Sequence, residues 1–178
     1  MQIIDNKALR VVVPNEAADN VLKTVERSKL VQENEATKEL LLFWGYEETS
    51  KLAVVSDSSV TVPLSLPSPI LRDYKWPGLY KPFEHQKDTA SFLSLRPRAF
   101  CFNEAGTGKT SAAIWAADYL MNLGLVRRVL VICPLSIMQS AWQADIFKTA
   151  MHRTCGIAHG TVDKRKKIIN AEYEFVVI

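Results

Sequence analysis

The feature that most constrains the fold of this chain is a glycine-rich stretch, Asn103-Glu-Ala-Gly-Thr-Gly-Lys-Thr110, between two segments of different periodicity. Residues 99–102, directly before it, form a short apolar run, which favours a buried strand. Residues 109–122, after it, carry apolar side chains at helical spacing, and Gly124 marks the helix end. A strand that turns through glycines directly into a helix is typical of an α/β domain.

The same alternation of strand and helix patterns continues along the chain. Apolar runs at residues 129–133, 155–158 and 175–178 predict three further strands. A helix with Ser136 as its N-cap is predicted after the first run, and a basic helix at residues 162–170 after the second. The inward positions of the former are Met138, Ala141, Trp142 and Ile146. Apolar strands separated by helices indicate a parallel sheet covered on both faces, so we predict a RecA-like or otherwise doubly wound α/β domain.

The first part of the chain has a different sequence pattern. An apolar run at residues 9–13, a helix capped by Asn15 and an apolar run at 40–44 suggest a small βαβ-like, α+β unit. Residues 46–62 show no clear pattern, and the proline-rich residues 63–69 are interpreted as a linker. We therefore expect a small accessory domain with its linker at residues 1–70, and the α/β domain at residues 71–178.

Composition limits the setting of the protein more than its chemistry. The net charge of +3 permits nucleic-acid binding but does not argue for it. The three cysteines, Cys101, Cys133 and Cys155, have no spacing that suggests disulfides or a zinc site. No apolar run approaches the roughly 18 residues of a membrane span. We expect a soluble protein with no membrane association, in the reducing environment of the cytoplasm.

The glycine-rich stretch has the chemistry of a phosphate-binding loop. Gly106 and Gly108 can turn backbone amides inward around an anion, and the helix that follows adds its free N–H groups. Lys109 can reach the β- and γ-phosphates of ATP, and the Thr110 hydroxyl can coordinate Mg²⁺. The strict pattern G-x-x-x-x-G-K-[ST] is not met, because Asn103 stands where its first glycine should be. The alternative is a glycine-rich turn that binds nothing.

Four stretches in the same order resemble superfamily-two helicases of the Swi/Snf type, and especially the helicase-like proteins of phages. One of them is the glycine-rich loop itself, because the corresponding loop of that family also lacks the first glycine of the strict pattern. Pro82-Phe-Glu-His-Gln86 is similar to the adenine-reading Q motif, and Val129-Leu-Val-Ile-Cys-Pro-Leu-Ser136 to motif Ia. His159-Gly160, the basic helix and residues 173–178 resemble the run that leads to the next motifs. The resemblance covers about residues 80–178.

This resemblance implies the first motor domain of an ATP-dependent DNA helicase or translocase, with ATP and Mg²⁺ as cofactors. It implies double-stranded DNA and a second RecA-like domain as partners. The residues implied to bind the nucleotide are Gln86, Glu104, Ala105, Gly106, Thr107, Gly108, Lys109 and Thr110, of which Lys109 and Thr110 serve catalysis. The residues implied to contact DNA are Pro134, Leu135 and Ser136. The alternatives are a surface glutamine for Gln86 and a plain N-cap for Ser136.

The family's D-E-x-H segment does not occur in these residues, so we expect an incomplete motor domain that binds nucleotide without appreciable turnover. The basic run from Lys164 to Lys167 is interpreted as a solvated helix face in preference to a phosphate site. Two other functions fit the same motifs. One is the motor segment of a restriction-system translocase, and the other is a non-catalytic scaffold that binds nucleotide or a protein partner.

Overall fold

The structure is a computed structural model that describes residues 1–58 and 66–178. The chain divides into two compact units. The amino-terminal unit comprises Met1–Asp73 and Ser91–Ala99, and the loop unit, named for the glycine-rich loop, comprises Tyr74–Ala90 and Phe100–Ile178. No helix in the described part of the chain is long and apolar enough to cross a membrane.

The amino-terminal unit is built on a four-stranded antiparallel sheet in the order β1-β2-β4-β3. In this sheet Leu9 lies opposite Leu42, and Val11 lies opposite Leu40. The strands are β1 (Gln2–Ile4), β2 (Ala8–Pro14), β3 (Ser28–Glu33) and β4 (Thr37–Phe43), and the helices are α1 (Asn15–Thr24), α2 (Tyr46–Ser58) and α3 (Ile70–Asp73).

Strict alternation on β2 explains the core of this unit. Leu9, Val11 and Val13 are buried, whereas the residues between them are half-buried or exposed, as expected for a strand with one covered face. The buried face packs with Ala18 and Val21 of α1 in one apolar cluster. Because successive side chains on a strand point to opposite faces, this register determines which side of the sheet the helices cover.

The βαβ-like interpretation of the first 62 residues is wrong, because β2 and β4 are antiparallel and an additional strand, β3, lies between them in the chain. Five of the six residues of β3 are exposed, so it has none of the apolar alternation that marks a half-buried strand. Of the unpatterned residues 46–62, the structure shows 46–58 as α2, and 59–62 lie outside the described residues.

The proline-rich segment 63–69 falls partly outside the described residues, which resume at Leu66. Leu66 and Ser68 are buried, and the indole N–H of Trp44 donates to the Pro67 carbonyl at 2.9 Å. Residues 66–69 are therefore packed into the amino-terminal unit.

The loop unit contains a parallel three-stranded sheet in the order β5-β7-β6. The mixed α/β architecture with a parallel sheet is confirmed, and all three strands lie within the apolar runs that predicted them. The strands are β5 (Val129–Val131), β6 (Cys155–Ile157) and β7 (Phe175–Val177), and the helices are α4 (Glu84–Leu95), α5 (Lys109–Asn122), α6 (Ala144–Thr149) and α7 (Val162–Asn170). The first seven residues of α4 belong to this unit, and its last five belong to the amino-terminal unit.

The strand predicted at residues 99–102 does not form. No sheet partner is found for it in the described part of the chain, and Phe100 and Phe102 are 81% and 89% exposed. Their rings stack on each other with centroids 5.7 Å apart. An apolar run makes a strand only where a neighbouring strand accepts its backbone hydrogen bonds. Strand β5 is paired with β7 on one side, and residues 99–102 do not pair with its other side.

The helix after β5 begins differently from the prediction. Ser136 is not its N-cap, because Pro134 takes an extended ψ of 144° and a 3-10 turn starts at once over Leu135–Ile137. A π-helical segment, Met138–Gln143, leads from this turn into α6. Met138 and Ile146 face the core as expected, with Trp142 packed beside them.

Candidate functional site

The glycine-rich loop lies directly before α5, and its two glycines have conformations that other residues rarely adopt. Gly106 has a φ of 78° and Gly108 a φ of 76°. A Cβ atom added to Gly108 would lie 2.0 Å from Nε2, the side-chain amide nitrogen of Gln86. The left-handed backbone conformation therefore favours glycine at position 108, and the Gln86 side chain would have to move to admit a larger residue.

Gly108 is also the N-cap of α5, and it has no side chain to bond to the first-turn amides. The N–H groups of Lys109, Thr110 and Ser111 have no acceptor one turn earlier within the helix. These amides and the positive end of the helix dipole form a donor set suited to an anion. The residues present therefore fit a phosphate group, and half-buried Thr110 places a hydroxyl in the same turn.

The Lys109 side chain folds back over the loop. Its ammonium group donates to the carbonyl oxygens of Asn103 and Glu104, at 2.9 and 2.7 Å. The Thr107 hydroxyl donates to the same Glu104 carbonyl at 2.8 Å. The Lys109 ammonium group is thus bonded to carbonyl oxygens of the loop itself. Glu104 and Ala105 are exposed at the outer turn of the loop.

Helix α4 brings Gln86 against the loop. The Gln86 side chain accepts from the Phe83 N–H at 3.0 Å and donates to the Thr107 carbonyl at 3.2 Å. Nε2 of His85 also donates to the Thr107 carbonyl, at 3.0 Å, since a carbonyl oxygen can only accept. His85 is a contact that the sequence analysis did not anticipate, although its place beside Gln86 was a signal for it.

Asn103 has a structural role that explains its place in the loop. Its side-chain amide donates to the Thr89 hydroxyl at 2.8 Å, and that hydroxyl donates to the His85 carbonyl at 2.7 Å. Thr89 lies one helical turn after His85, so the same face of α4 reaches both ends of the loop. A glycine at position 103 would lack this bond.

The residues predicted to contact DNA lie after the end of β5. Pro134, Leu135 and Ser136 are all exposed, and Leu135 exposes 69% of its surface. No hydrogen bond joins any of them to the glycine-rich loop in the part of the chain that the structure describes. The structure thus brings Gln86 to the loop and leaves residues 134–136 as a separate surface at the carboxyl edge of the parallel sheet.

A buried charge network joins α5 to other parts of the loop unit. Asp118 is fully buried, and its carboxylate accepts from Arg153 at 2.5 Å, from His152 at 3.0 Å and from the Tyr74 hydroxyl. Arg153 also donates to Glu174 at 2.6 Å. The network therefore ties α5 to the chain before β6 and to the chain before β7. Residues so far apart in sequence give no local signal of this contact.

Ionisation in this network follows from burial and partners. Burial and the Asp118 carboxylate raise the pKa of Tyr74, which keeps its hydroxyl protonated as a donor. Burial alone would lower the pKa of Arg153, but its bonds to Glu174 and Asp118 raise it overall. Burial alone would raise the pKa of Glu174, but the Thr154 N–H and Arg153 lower it overall.

The described residues contain no group of three or more His, Cys, Asp or Glu side chains that could hold a metal ion. His85 contacts the loop, His152 is bonded to Asp118, and His159 lies after β6. Trp44 and Trp115 are buried, and Trp115 packs edge-on against Trp76 with centroids 5.7 Å apart, so these rings pack the interior.

No protein-family model and no curated protein matches this chain. Among solved structures it is similar to the SWI2/SNF2 ATPase core of Sulfolobus solfataricus, determined in complex with double-stranded DNA, with 24% sequence identity and a TM-score of 0.50. The match covers 57% of this chain and 22% of that structure, so the chain spans less than a quarter of its neighbour. At this identity the likeness shows the fold alone, a mixed α/β fold with a parallel sheet that this chain shares with part of that ATPase core.

Proposed function

We propose that this chain is the ATP-binding part of a DNA-dependent ATPase of the Swi2/Snf2 type, related to the helicase-like proteins of phages. The observation that carries the proposal is the arrangement around Gly108, where an uncapped helix start, Lys109 and Gln86 converge on one loop. The shared fold with the Sulfolobus SWI2/SNF2 ATPase core supports it.

In this proposal the backbone from Glu104 to Gly108 surrounds the β- and γ-phosphates of ATP. The Lys109 ammonium moves from the carbonyl oxygens of Asn103 and Glu104 to the phosphates, which are stronger acceptors because they are charged. The Thr110 hydroxyl provides one oxygen ligand for Mg²⁺. The bound metal would neutralise charge on the phosphates and so assist their transfer.

Gln86 retains the capacity to read adenine. A primary amide has two N–H donors and an oxygen with two lone pairs. The structure uses one N–H for the Thr107 carbonyl and one lone pair for the Phe83 N–H. One donor and one acceptor remain, which is the pair that the N6/N7 edge of adenine requires.

Pro134, Leu135 and Ser136 are proposed to contact double-stranded DNA, as they lie where open α/β sheets bind ligands, beyond the carboxyl ends of the strands. ATP hydrolysis would require a second RecA-like domain to complete the nucleotide site. The hydrolysis would then drive movement of the protein along DNA. The proposed location is the cytoplasm.

Calorimetric titration with ATP and Mg²⁺ tests the nucleotide site. Lys109→Ala removes charge-assisted hydrogen bonds of about 1.5–3 kcal/mol in total, so ATP affinity should fall roughly 10–100-fold. Lys148→Ala, which removes an exposed lysine of α6, is the matched control and should leave the affinity unchanged. Equal affinity of the Lys109→Ala variant and the wild type would contradict the proposal.

A further inference from the structure

A groove of about 560 Å³ lies at the carboxyl edge of the parallel sheet. Its floor is formed by residues that follow the three strands, including Leu135 after β5, Gly160 after β6 and Ile178 after β7. Its wall is helix α7. We call this feature the basic groove. It includes one residue already proposed to contact DNA, Leu135, but the chemistry of its wall comes from α7.

The face of α7 that lines the groove combines apolar and cationic side chains. Val162, Arg165, Lys166 and Ile169 line it, and their spacing of three, four and seven residues places them on one side of the helix. Val162 and Ile169 remain 54% and 44% exposed, and α7 has no buried residue at all. No other part of the described chain therefore covers this face.

The charge of the groove selects the class of its partner. Arg165 and Lys166 are exposed, and no ion pair or side-chain hydrogen bond engages either of them in the part of the chain that the structure describes. Among the residues that the structure describes, no side chain that lines the groove is a carboxylate. Two unpaired cations in this groove, with the nearest acid of the same helix, Asp163, outside its lining, attract a partner with regularly spaced negative charges.

A nucleic-acid strand fits both the chemistry and the length of this face. Its phosphates suit Arg165 and Lys166, and the carbon faces of its sugars suit Val162, Ile169 and Leu135. From Val162 to Ile169 the helix rises about 10 Å, which matches about three nucleotides at the 3.4 Å rise of one strand.

We propose that the basic groove holds the backbone of one strand of DNA, with Arg165 and Lys166 bonded to neighbouring phosphates. The choice of DNA as the partner of this groove rests on the proposed function. It extends the DNA surface from residues 134–136 to α7. It also replaces the expectation that the basic run is only a solvated face, since the run divides into two groove-lining cations and two others, Lys164 and Lys167.

That division provides a matched experiment. The double substitution Arg165→Ala with Lys166→Ala removes the groove cations, and Lys164→Ala with Lys167→Ala removes the same charge from the same helix outside the groove. All four side chains are exposed, so both variants should fold as the wild type does. Binding of a fluorescent DNA duplex is followed by anisotropy over a range of salt concentrations.

Each lost phosphate contact lowers the slope of log affinity against log salt by about 0.9. The groove variant should therefore lose about 2 from this slope and bind one to two orders of magnitude more weakly at about 50 mM salt. The control variant should change the slope by less than half as much.

Equal changes in the two variants would overturn the groove and leave the proposed function standing, because ATP binding is measured separately through Lys109. Absence of DNA binding by the wild type at low salt would overturn both the groove and the DNA partner. Displacement of the duplex by polyglutamate as effectively as by unlabelled DNA would identify an acidic protein as the partner and would overturn the nucleic-acid assignment.

Discussion

The two units of this chain stabilise their sheets by different means. In the amino-terminal unit, fifteen of the described residues form one buried apolar cluster against the antiparallel sheet. In the loop unit the corresponding cluster has eight described residues, and the fully buried Asp118 joins α5 to Arg153 beside it. The amino-terminal unit also buries Glu48, but its partner Arg27 has a side chain that is 56% exposed.

This difference separates two kinds of stability. Apolar packing is distributed, so each side chain contributes through the area it removes from water. A buried charge network adds little net free energy, but it becomes very unfavourable when one partner is lost. The loop unit should therefore depend on single residues more strongly than the amino-terminal unit does.

The largest effect should come from Asp118→Asn. It removes the fully buried counter-charge of the Arg153 side chain, which is 14% exposed, and leaves Arg153 paired with the partly exposed Glu174. The expected loss in the free energy of unfolding is about 3–5 kcal/mol. Urea unfolding measures the loss, and hydrogen exchange in α5 assigns it to the loop unit. Glu39→Gln is the control from the other unit, because its partner Arg10 is 43% exposed, and it should cost no more than about 1 kcal/mol. Equal losses would remove the distinction between the units.

An intermediate effect is expected from Val11→Ala in β2. Val11 is 2% exposed and its neighbour Val12 is 52% exposed, on the opposite face of the same strand. Removal of two buried methyl groups should cost about 2 kcal/mol, whereas Val12→Ala should stay within about 0.5 kcal/mol. The free energies of unfolding of the two variants measure this difference. Similar values would show that the sheet does not separate a covered from an open face.

The smallest effect concerns pH. The folded pKa of Glu174 is lowered, so its contribution to stability is present above its ordinary pKa of 4.5 and is lost as the pH falls through the lower folded value. Glu174→Gln should lower stability at pH 7 and show a shallower decline below about pH 4.5 than the wild type. Glu172→Gln, at a carboxylate that is 92% exposed, is the control and should follow the wild type. Chemical unfolding at a series of pH values checks this, and parallel curves for all three proteins would contradict it.

The sequence predicts the loop unit better than the amino-terminal unit, for physical reasons. Strands such as β7, in which all three residues are buried, have a strong local apolar signal. Strand β3 has none, because its pairing with β4 is an interaction between backbones at a sheet edge. Residues 99–102 show the opposite error, since apolar character alone did not provide a sheet neighbour.

At the candidate site the sequence provides residue types and order but not contacts. Lys109 and Gln86 follow from their motifs. The bond from Asn103 to Thr89 and the bond from Arg153 to Asp118 join distant parts of the chain, and only the fold brings them together. The division of the basic run into groove and solvent cations likewise depends on how α7 lies on β6.

The attachment of both ends of the loop to α4 has a thermodynamic consequence. Asn103 is bonded to Thr89 at the start of the loop, and the Thr107 carbonyl is bonded to His85 and Gln86 near its end. A loop held at two points has fewer conformations to lose when it closes around an anion. Preorganisation of this kind lowers the entropic cost of binding. At this loop the asparagine in place of a glycine therefore exchanges backbone freedom for order, and the proposed phosphate site is already ordered without a ligand.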